Sequence, residues 1–106
     1  MEKKSINRRK KGKYFEKKCR DQLKADGYLV DFKPNTRFCS NDFFYLFDVL
    51  AIKENEVRLI QVKSNLSHFY TARKEIREWR IKNNIKVQCE VWLAKDKLWR
   101  KEIITV

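Results

Sequence analysis

Two neighbouring segments decide the fold of this chain: LFDVLAI at residues 46–52 and VRLIQVKS at residues 57–64. Both are dominated by aliphatic and β-branched residues, which is typical of strands buried in a sheet. The intervening ENE segment at residues 54–56 is short enough to connect them tightly. The sequence therefore predicts a β-hairpin in the middle of the chain.

Three polar residues interrupt these apolar segments: Asp48, Gln61 and Lys63. A charge inside an apolar strand is costly unless it has a partner or a function. Gln61 and Lys63 are two residues apart, so their side chains project from the same face of the strand. The hairpin then predicts that all three residues converge at one end of a sheet.

This set of residue types suits phosphodiester hydrolysis. Mg²⁺ prefers oxygen ligands; Asp48 offers a charged oxygen, and the Gln61 side chain and the Val62 main-chain carbonyl offer neutral ones. The Lys63 ammonium would orient an attacking water and offset the developing phosphate charge. The residues alone therefore indicate a phosphodiester-cleaving site.

Length and charge indicate one domain with a polyanionic partner. The 106 residues suffice for one hydrophobic core, so a single domain spanning 1–106 is expected. The net charge is +12, and residues 1–24 contain eleven Lys or Arg against three acidic residues. Residues 1–11 are predicted to form a flexible basic arm. The strongest candidates for nucleic-acid contact are Arg8, Arg9, Lys10 and Lys11 in this arm and Lys13 just after it. An anionic membrane surface is the rival partner.

Other features narrow the function class. Cys19, Cys39 and Cys89 are odd in number and widely spaced, so neither a zinc site nor a disulfide framework is expected. The chain has a single histidine, His68, which leaves little basis for a histidine-rich metal site. No long apolar run and no apolar signal core are present, so the expectation is a cytoplasmic protein without membrane insertion. No small-molecule substrate is indicated.

Hydrophobic periodicity predicts the element order α-β-β-β-α-β-β. In the first helix, from about residue 12 to 26, Phe15, Cys19 and Leu23 form one stripe, and Glu16 borders it. Gly27 is expected to end this helix, and Ser67 is expected to cap the second. The remaining predictions are strands at about 28–33, 46–53, 57–63, 87–94 and 98–106, an irregular stretch at 34–45, and a helix at 67–83.

Taken together, these motifs resemble the PD-(D/E)xK nuclease superfamily, and within it the small archaeal-type Holliday junction resolvases. The matching residues are Glu16 in KGKYFEKKCRDQL, Asp48 in LFDVLAI, and Gln61 and Lys63 in IQVKS. The resemblance covers roughly residue 10 to the end. It implies a restriction-endonuclease-like fold, a central mixed sheet of about five strands flanked by helices, and Mg²⁺ or Mn²⁺ as cofactor. It also implies catalytic roles for these four residues, with Glu16 joining Asp48, Gln61 and Val62 at the metal.

By the same resemblance, the expected activity is metal-dependent endonucleolytic cleavage of branched DNA by a homodimer, in DNA recombination and repair. The chain departs from the family pattern at two positions. Phe47 stands where the family often has Pro, and Gln61 stands where the family usually has an acid. Because losing a carboxylate weakens divalent-metal binding, an alternative is a non-catalytic nucleic-acid-binding module on the same fold. A basic scaffold protein is a third class, but it leaves Asp48 unexplained.

Overall fold

The computed structural model describes residues 8–32, 43–44, 46–95 and 98–105. The helices and strands within these ranges are α1 (Arg8–Ala25), β1 (Leu29–Phe32), β2 (Val49–Lys53), β3 (Glu56–Lys63), α2 (Leu66–Asn83), β4 (Gln88–Lys95) and β5 (Leu98–Ile103). The order predicted from the sequence is confirmed.

The five strands form one mixed sheet in which every strand pairs with its neighbours in the chain, in the order β1-β2-β3-β4-β5. β3 and β4 are parallel, and the other three pairs are antiparallel. The parallel pair requires a crossover connection, and α2 provides it. The predicted hairpin is confirmed: Lys53 pairs with Glu56 across a two-residue turn, in which Glu54 has a φ of 55°.

The two helices cover opposite faces of the sheet. On one face, Cys19 and Leu23 of α1 pack in a buried cluster with Val49, Ala51, Ile60, Val62 and Trp92. On the other face, Phe69, Ala72 and Ile76 of α2 pack with Leu59, Cys89, Val91 and Leu93. Because side chains alternate along a strand, Ile60 and Val62 face α1, whereas Gln61 lies on the α2 face.

Gly27 ends α1, as its position in the sequence predicts. Its φ is +94°, in the left-handed region that glycine adopts without steric penalty. The Gly27 N–H donates to the Lys24 carbonyl at 3.0 Å and the Tyr28 N–H donates to the Leu23 carbonyl at 3.0 Å. These bonds satisfy carbonyls at the helix end and turn the chain into β1.

Besides β5, which ends at Ile103 instead of 106, three predicted boundaries differ from the structure by two or more residues. α1 begins at Arg8 instead of about residue 12, so Arg8, Arg9, Lys10 and Lys11 are helical and not part of a flexible arm. β2 begins at Val49 instead of 46, because Phe43 and Phe47 close a turn through an isolated bridge, with Phe44 at a φ of 55°.

The third difference is the cap of α2, which is Asn65 and not Ser67. The Asn65 side-chain oxygen accepts from the main-chain N–H of Ser67 at 2.9 Å and of His68 at 3.2 Å. Asn and Ser are equally good caps, so residue type alone does not favour Ser67 over Asn65. Residues 1–7, most of the 34–45 stretch including Cys39, and the turn residues 96–97 lie outside the described residues.

Candidate active site at the ends of β2 and β3

Asp48 lies immediately before β2, where the ladder between β2 and β3 ends. Its main-chain N–H donates to the Ile60 carbonyl at 2.9 Å. Its side-chain Oδ2 accepts from the Val62 N–H at 2.8 Å. The Val62 N–H therefore donates to the Asp48 carboxylate instead of to a main-chain carbonyl of β2. This hydrogen bond joins Asp48 to the segment that contains Gln61 and Lys63.

The Val62 carbonyl is directed toward the same strand end. In an antiparallel ladder, the N–H and C=O of one residue point to the same neighbouring strand. Because the Val62 N–H points to Asp48, its C=O does so as well. This geometry leaves the Val62 carbonyl oxygen on the Asp48 side of β3, the position expected for a neutral metal ligand.

Gln61 is buried, with 7% of its surface exposed. Its side-chain oxygen, Oε1, is buried and has no hydrogen-bond partner among the residues that the structure describes. A buried polar atom without a partner costs about 1–3 kcal/mol. A ligand that binds this oxygen would offset that cost. Lys63, two residues on, is half-buried.

Glu16 lies on α1, the helix that packs on the sheet through Cys19 and Leu23. Burial raises the pKa of the Cys19 thiol, and the negative charges of Asp48 and Glu90 raise it further. The Asp48 carboxylate is therefore within electrostatic reach of α1. Glu16 lies one turn before Cys19 on this helix and is half-buried, next to the stripe that packs on the sheet. The helix thus presents Glu16 beside the stripe that contacts the sheet, as the periodicity predicts.

The donor set fits a hard divalent cation, although it carries little charge. Within residues 8–32, 43–44, 46–95 and 98–105, no group of three or more His, Cys, Asp or Glu side chains is placed to hold a metal. The candidate donors are the Asp48 carboxylate, the Val62 carbonyl on the same side of β3 and the unpartnered Gln61 oxygen. Glu16 is carried by α1, which packs on the face of the sheet opposite to Gln61. Oxygen donors of this kind, with water completing the shell, suit Mg²⁺ or Mn²⁺.

The basic residues singled out from the sequence are placed at the start of α1. Arg8–Lys11 form its first turn, and Lys13 follows with an exposed side chain. None of the helices in the described part of the chain is long and apolar enough to cross a membrane.

Glu90 on β4 is a buried carboxylate that the sequence pattern did not single out. Glu90 is 2% exposed. Its carboxylate accepts two hydrogen bonds from Arg58, from Nη2 at 2.8 Å and from Nε at 2.5 Å. It also accepts from Trp92 Nε1 at 2.9 Å and from Gln88 Nε2 at 2.8 Å. Burial acts to raise the pKa of Glu90, but these hydrogen bonds outweigh it and lower the pKa. With its oxygens satisfied, Glu90 is a structural residue.

Replacing Glu90 with Gln is expected to reduce the free energy of unfolding at pH 7 by about 3–5 kcal/mol, because Arg58 would keep a largely buried charge without its partner. A lowered folded-state pKa stabilises the fold above the unfolded pKa of about 4.3, and that stabilisation is lost as pH falls through the folded value. The difference in the free energy of unfolding between wild type and Glu90→Gln, measured by urea titration, should therefore become smaller as the pH falls toward 3.

The control for this experiment is Glu102→Gln, which breaks the partly exposed pair between Glu102 and Arg73. Exposed pairs contribute about 0–1 kcal/mol, so this variant should remain close to wild type. If the free energy of unfolding of Glu90→Gln stays below that of wild type by the same amount from pH 7 to pH 3, the Glu90 charge does not stabilise the fold.

Comparisons with known proteins define the fold. No protein-family model matches this chain, and no curated protein sequence matches it. Among solved structures, the chain is similar to Hjc, a Holliday junction resolvase of the archaeal hyperthermophile Archaeoglobus fulgidus. The TM-score is 0.61 at 16% sequence identity, and the match covers 89% of this chain and 73% of the resolvase chain.

The fold is therefore the restriction-endonuclease-like α/β fold that the sequence predicts, with a five-stranded mixed sheet between two helices. At 16% identity, the similarity establishes the architecture and not the chemistry.

Proposed function

We propose that this protein is a divalent-metal-dependent endonuclease that hydrolyses phosphodiester bonds in DNA. The observation that carries the proposal is the hydrogen bond from the Val62 amide to Asp48. It holds a carboxylate against the short segment that contains the unpartnered Gln61 oxygen and the Lys63 ammonium. A purely structural role would account for the Asp48 bond, but it would leave the Gln61 oxygen unexplained.

In this proposal the four residues have distinct tasks. Asp48, Gln61 and the Val62 carbonyl hold the cation, and Glu16 completes the set directly or through water. When bound, Mg²⁺ supplies Lewis-acid stabilisation of the phosphate charge. Lys63 orients the attacking water and offsets negative charge on the phosphate as it develops. The positive charge at the start of α1 holds the DNA backbone.

The substrate that the resolvase-like fold favours is branched DNA, such as a four-way junction. A two-fold homodimer would present two sites for paired cuts on a symmetric substrate. The decisive experiment compares a four-way junction with a linear duplex built from the same arms, at matched salt, in Mg²⁺, Mn²⁺ or EDTA. Faster cleavage of the junction in either metal, and none in EDTA, is expected. Equal rates on both substrates would exclude junction selectivity.

A second candidate, a non-catalytic nucleic-acid-binding module, is favoured by one observation. Gln61 is neutral where an acid would strengthen metal binding, and the described residues contain no three-carboxylate group. Both candidates bind DNA with a strong salt dependence, so binding does not separate them. Cleavage does: the binding module leaves the junction intact in both metals.

The start of α1 is expected to supply phosphate contacts without sequence preference. Gln has nearly the helix propensity of Lys and Arg, so substituting Gln there removes charge and preserves the helix. Affinity should fall alike for all sequences, and the slope of log K against log salt should become shallower by about 0.9 for each lost contact. The positions to replace together are Arg8, Arg9, Lys10, Lys11 and Lys13.

Fluorescence anisotropy at several salt concentrations measures both quantities. The matched control is Lys82→Gln with Lys86→Gln, which removes exposed positive charge at the C-terminal end of α2 and beyond it. If the substituted helix keeps the wild-type slope, the residues at the start of α1 do not contact phosphate.

A further inference from the structure

Two arginines and two aromatic rings form a cluster beside the candidate site, on the α2 face of the sheet. The Arg100 guanidinium lies 4.9 Å from the centroid of Phe69 and 5.8 Å from that of Tyr70. The Arg73 guanidinium lies 6.0 Å and 5.6 Å from the same two rings. We refer to Phe69, Tyr70, Arg73 and Arg100 as the arginine cluster.

The sheet places this cluster in line with Lys63. Lys63 pairs with Leu93 on β4, and Leu93 pairs with Arg100 on β5. Residues opposite one another on adjacent strands share a face, and the strands are about 4.8 Å apart. Lys63 and Arg100 therefore stand in one row across the sheet, with main chains about 10 Å apart. One DNA strand could contact both residues, because that distance is small compared with a backbone of several nucleotides.

The charges of the cluster are only partly neutralised. Arg73 is paired with Glu102 through a 2.9 Å contact from Nη2, and its Nε is buried without a partner among the described residues. Arg100 is exposed and forms no ion pair with any described residue. Lys74, Arg77 and Glu78 line the adjoining open groove on α2, so the groove adds one net positive charge beyond the cluster.

The arrangement of the rings prepares the guanidinium groups for an anion. A guanidinium stacked on an aromatic ring keeps a fixed orientation, while its N–H groups remain available around its edge. That geometry matches the bidentate recognition of phosphate, and it lowers the entropy lost on binding. Tyr70 is 47% exposed, which leaves one side of its ring open beside the arginines.

We propose that the arginine cluster is a second phosphate-binding site, which holds the DNA backbone about 10 Å from Lys63 and so sets the strand across the candidate active site. The proposal rests on the proposed function, because it takes Lys63 as the position of the cleaved phosphate. It assigns Arg100 and Arg73 to a phosphate that is not cleaved, and it makes β5 and α2 part of the DNA-binding surface.

The test measures DNA binding in EDTA, so that its result is independent of cleavage. Arg100→Gln should weaken binding of a labelled four-way junction about tenfold, because a charge-assisted hydrogen bond is lost. It should also reduce the salt slope by about 0.9. The matched control is Lys101→Gln, which removes the same charge from the next residue of β5; Lys101 lies over the Trp92 ring on the opposite face, 4.2 Å from its centroid.

Glu102→Gln is expected to change DNA affinity in the opposite direction to Arg100→Gln. It removes the acid that pairs with Arg73, so the freed guanidinium and the lost negative charge should tighten DNA binding several-fold. A cluster with a merely structural role would give unchanged or weaker binding in this variant. Tighter binding by Glu102→Gln together with weaker binding by Arg100→Gln would therefore establish the phosphate site.

Three outcomes would overturn the inference. The first is equal DNA affinity for Arg100→Gln and Lys101→Gln, and the second is no tightening of DNA binding by Glu102→Gln. The third is that Arg100→Gln weakens binding to anionic phosphatidylserine vesicles but not to DNA.

Failure of the proposed function would give a different result. A wild-type protein that cleaves nothing, with the Arg100 and Glu102 effects intact, rejects the nuclease and keeps the phosphate site. A wild-type protein that cleaves DNA but shows no Arg100 effect rejects the phosphate site alone.

Discussion

Replacing Asp48 with Asn is expected to lower metal-dependent DNA cleavage at least about a thousandfold, equivalent to about 4 kcal/mol of lost transition-state stabilisation. Asn keeps an oxygen that can accept from the Val62 N–H, so the hydrogen bond at 2.8 Å and the local fold are preserved. Only the charge that attracts the cation is removed. DNA binding in EDTA should be unchanged or slightly tighter, because a negative charge has been taken from a surface that contacts phosphate.

Cleavage rate and anisotropy, measured on the same preparations, separate these effects. Asp21→Asn is the control, since Asp21 is exposed and pairs with Lys17 on the surface of α1. Asp48→Ala, which loses both the charge and the hydrogen-bond acceptor, should in addition be less stable than Asp48→Asn. An Asp48→Asn protein that retains most of the wild-type cleavage rate would rule out the site proposed at β2 and β3.

Replacing Gln61 with Glu is expected to lower the Mg²⁺ concentration for half-maximal cleavage about tenfold, because each added ligand charge raises the affinity for a hard cation. The same substitution places a charge at a position only 7% exposed. Without metal, that charge is poorly solvated, so Gln61→Glu should be less stable than wild type in EDTA. Added Mg²⁺ should restore its stability, since a ligand that binds the folded state stabilises it.

The informative quantity is the increase in Tm on adding Mg²⁺, which does not depend on activity. It should be largest for Gln61→Glu, smaller for wild type and absent for Gln61→Met, which has similar length but no carbonyl oxygen. Gln61→Met should also be at least as stable as wild type in EDTA, because it removes a buried oxygen without a partner. Identical Mg²⁺ responses in all three proteins would place Gln61 outside the metal site.

The sequence predicted the element order and the hairpin because hydrophobic periodicity reports directly which residues a sheet buries. The element boundaries that the sequence did not predict depend on contacts that hydrophobic periodicity does not report. The basic residues before Gly12 carry no apolar stripe, so nothing in their pattern marked them as helical. The residues before Asp48 are apolar and read as a continuous strand, whereas the bridge between Phe43 and Phe47 turns them out of the sheet.

The candidate site was predictable to the extent that one unusual residue marked it. An acid within an apolar strand identified Asp48, and the two-residue spacing identified Gln61 and Lys63. The same signal was present at Glu90, between Cys89 and Val91, and was overlooked. The structure is needed to identify Glu90 as a structural residue, because its partner Arg58 lies 32 residues earlier in the chain. The arginine cluster was beyond prediction, since the pairing of Lys63, Leu93 and Arg100 depends on strand register.

The bond between the Val62 amide and Asp48 has a consequence for affinity. A free aspartate side chain samples several rotamers, and ordering it at the moment of binding reduces affinity by the entropy lost. Here the main chain of β3 already orders the carboxylate when the protein folds. The rotational entropy of the side chain is therefore lost on folding and not on binding, so the proposed metal site would lose less affinity from its few carboxylates than their number suggests.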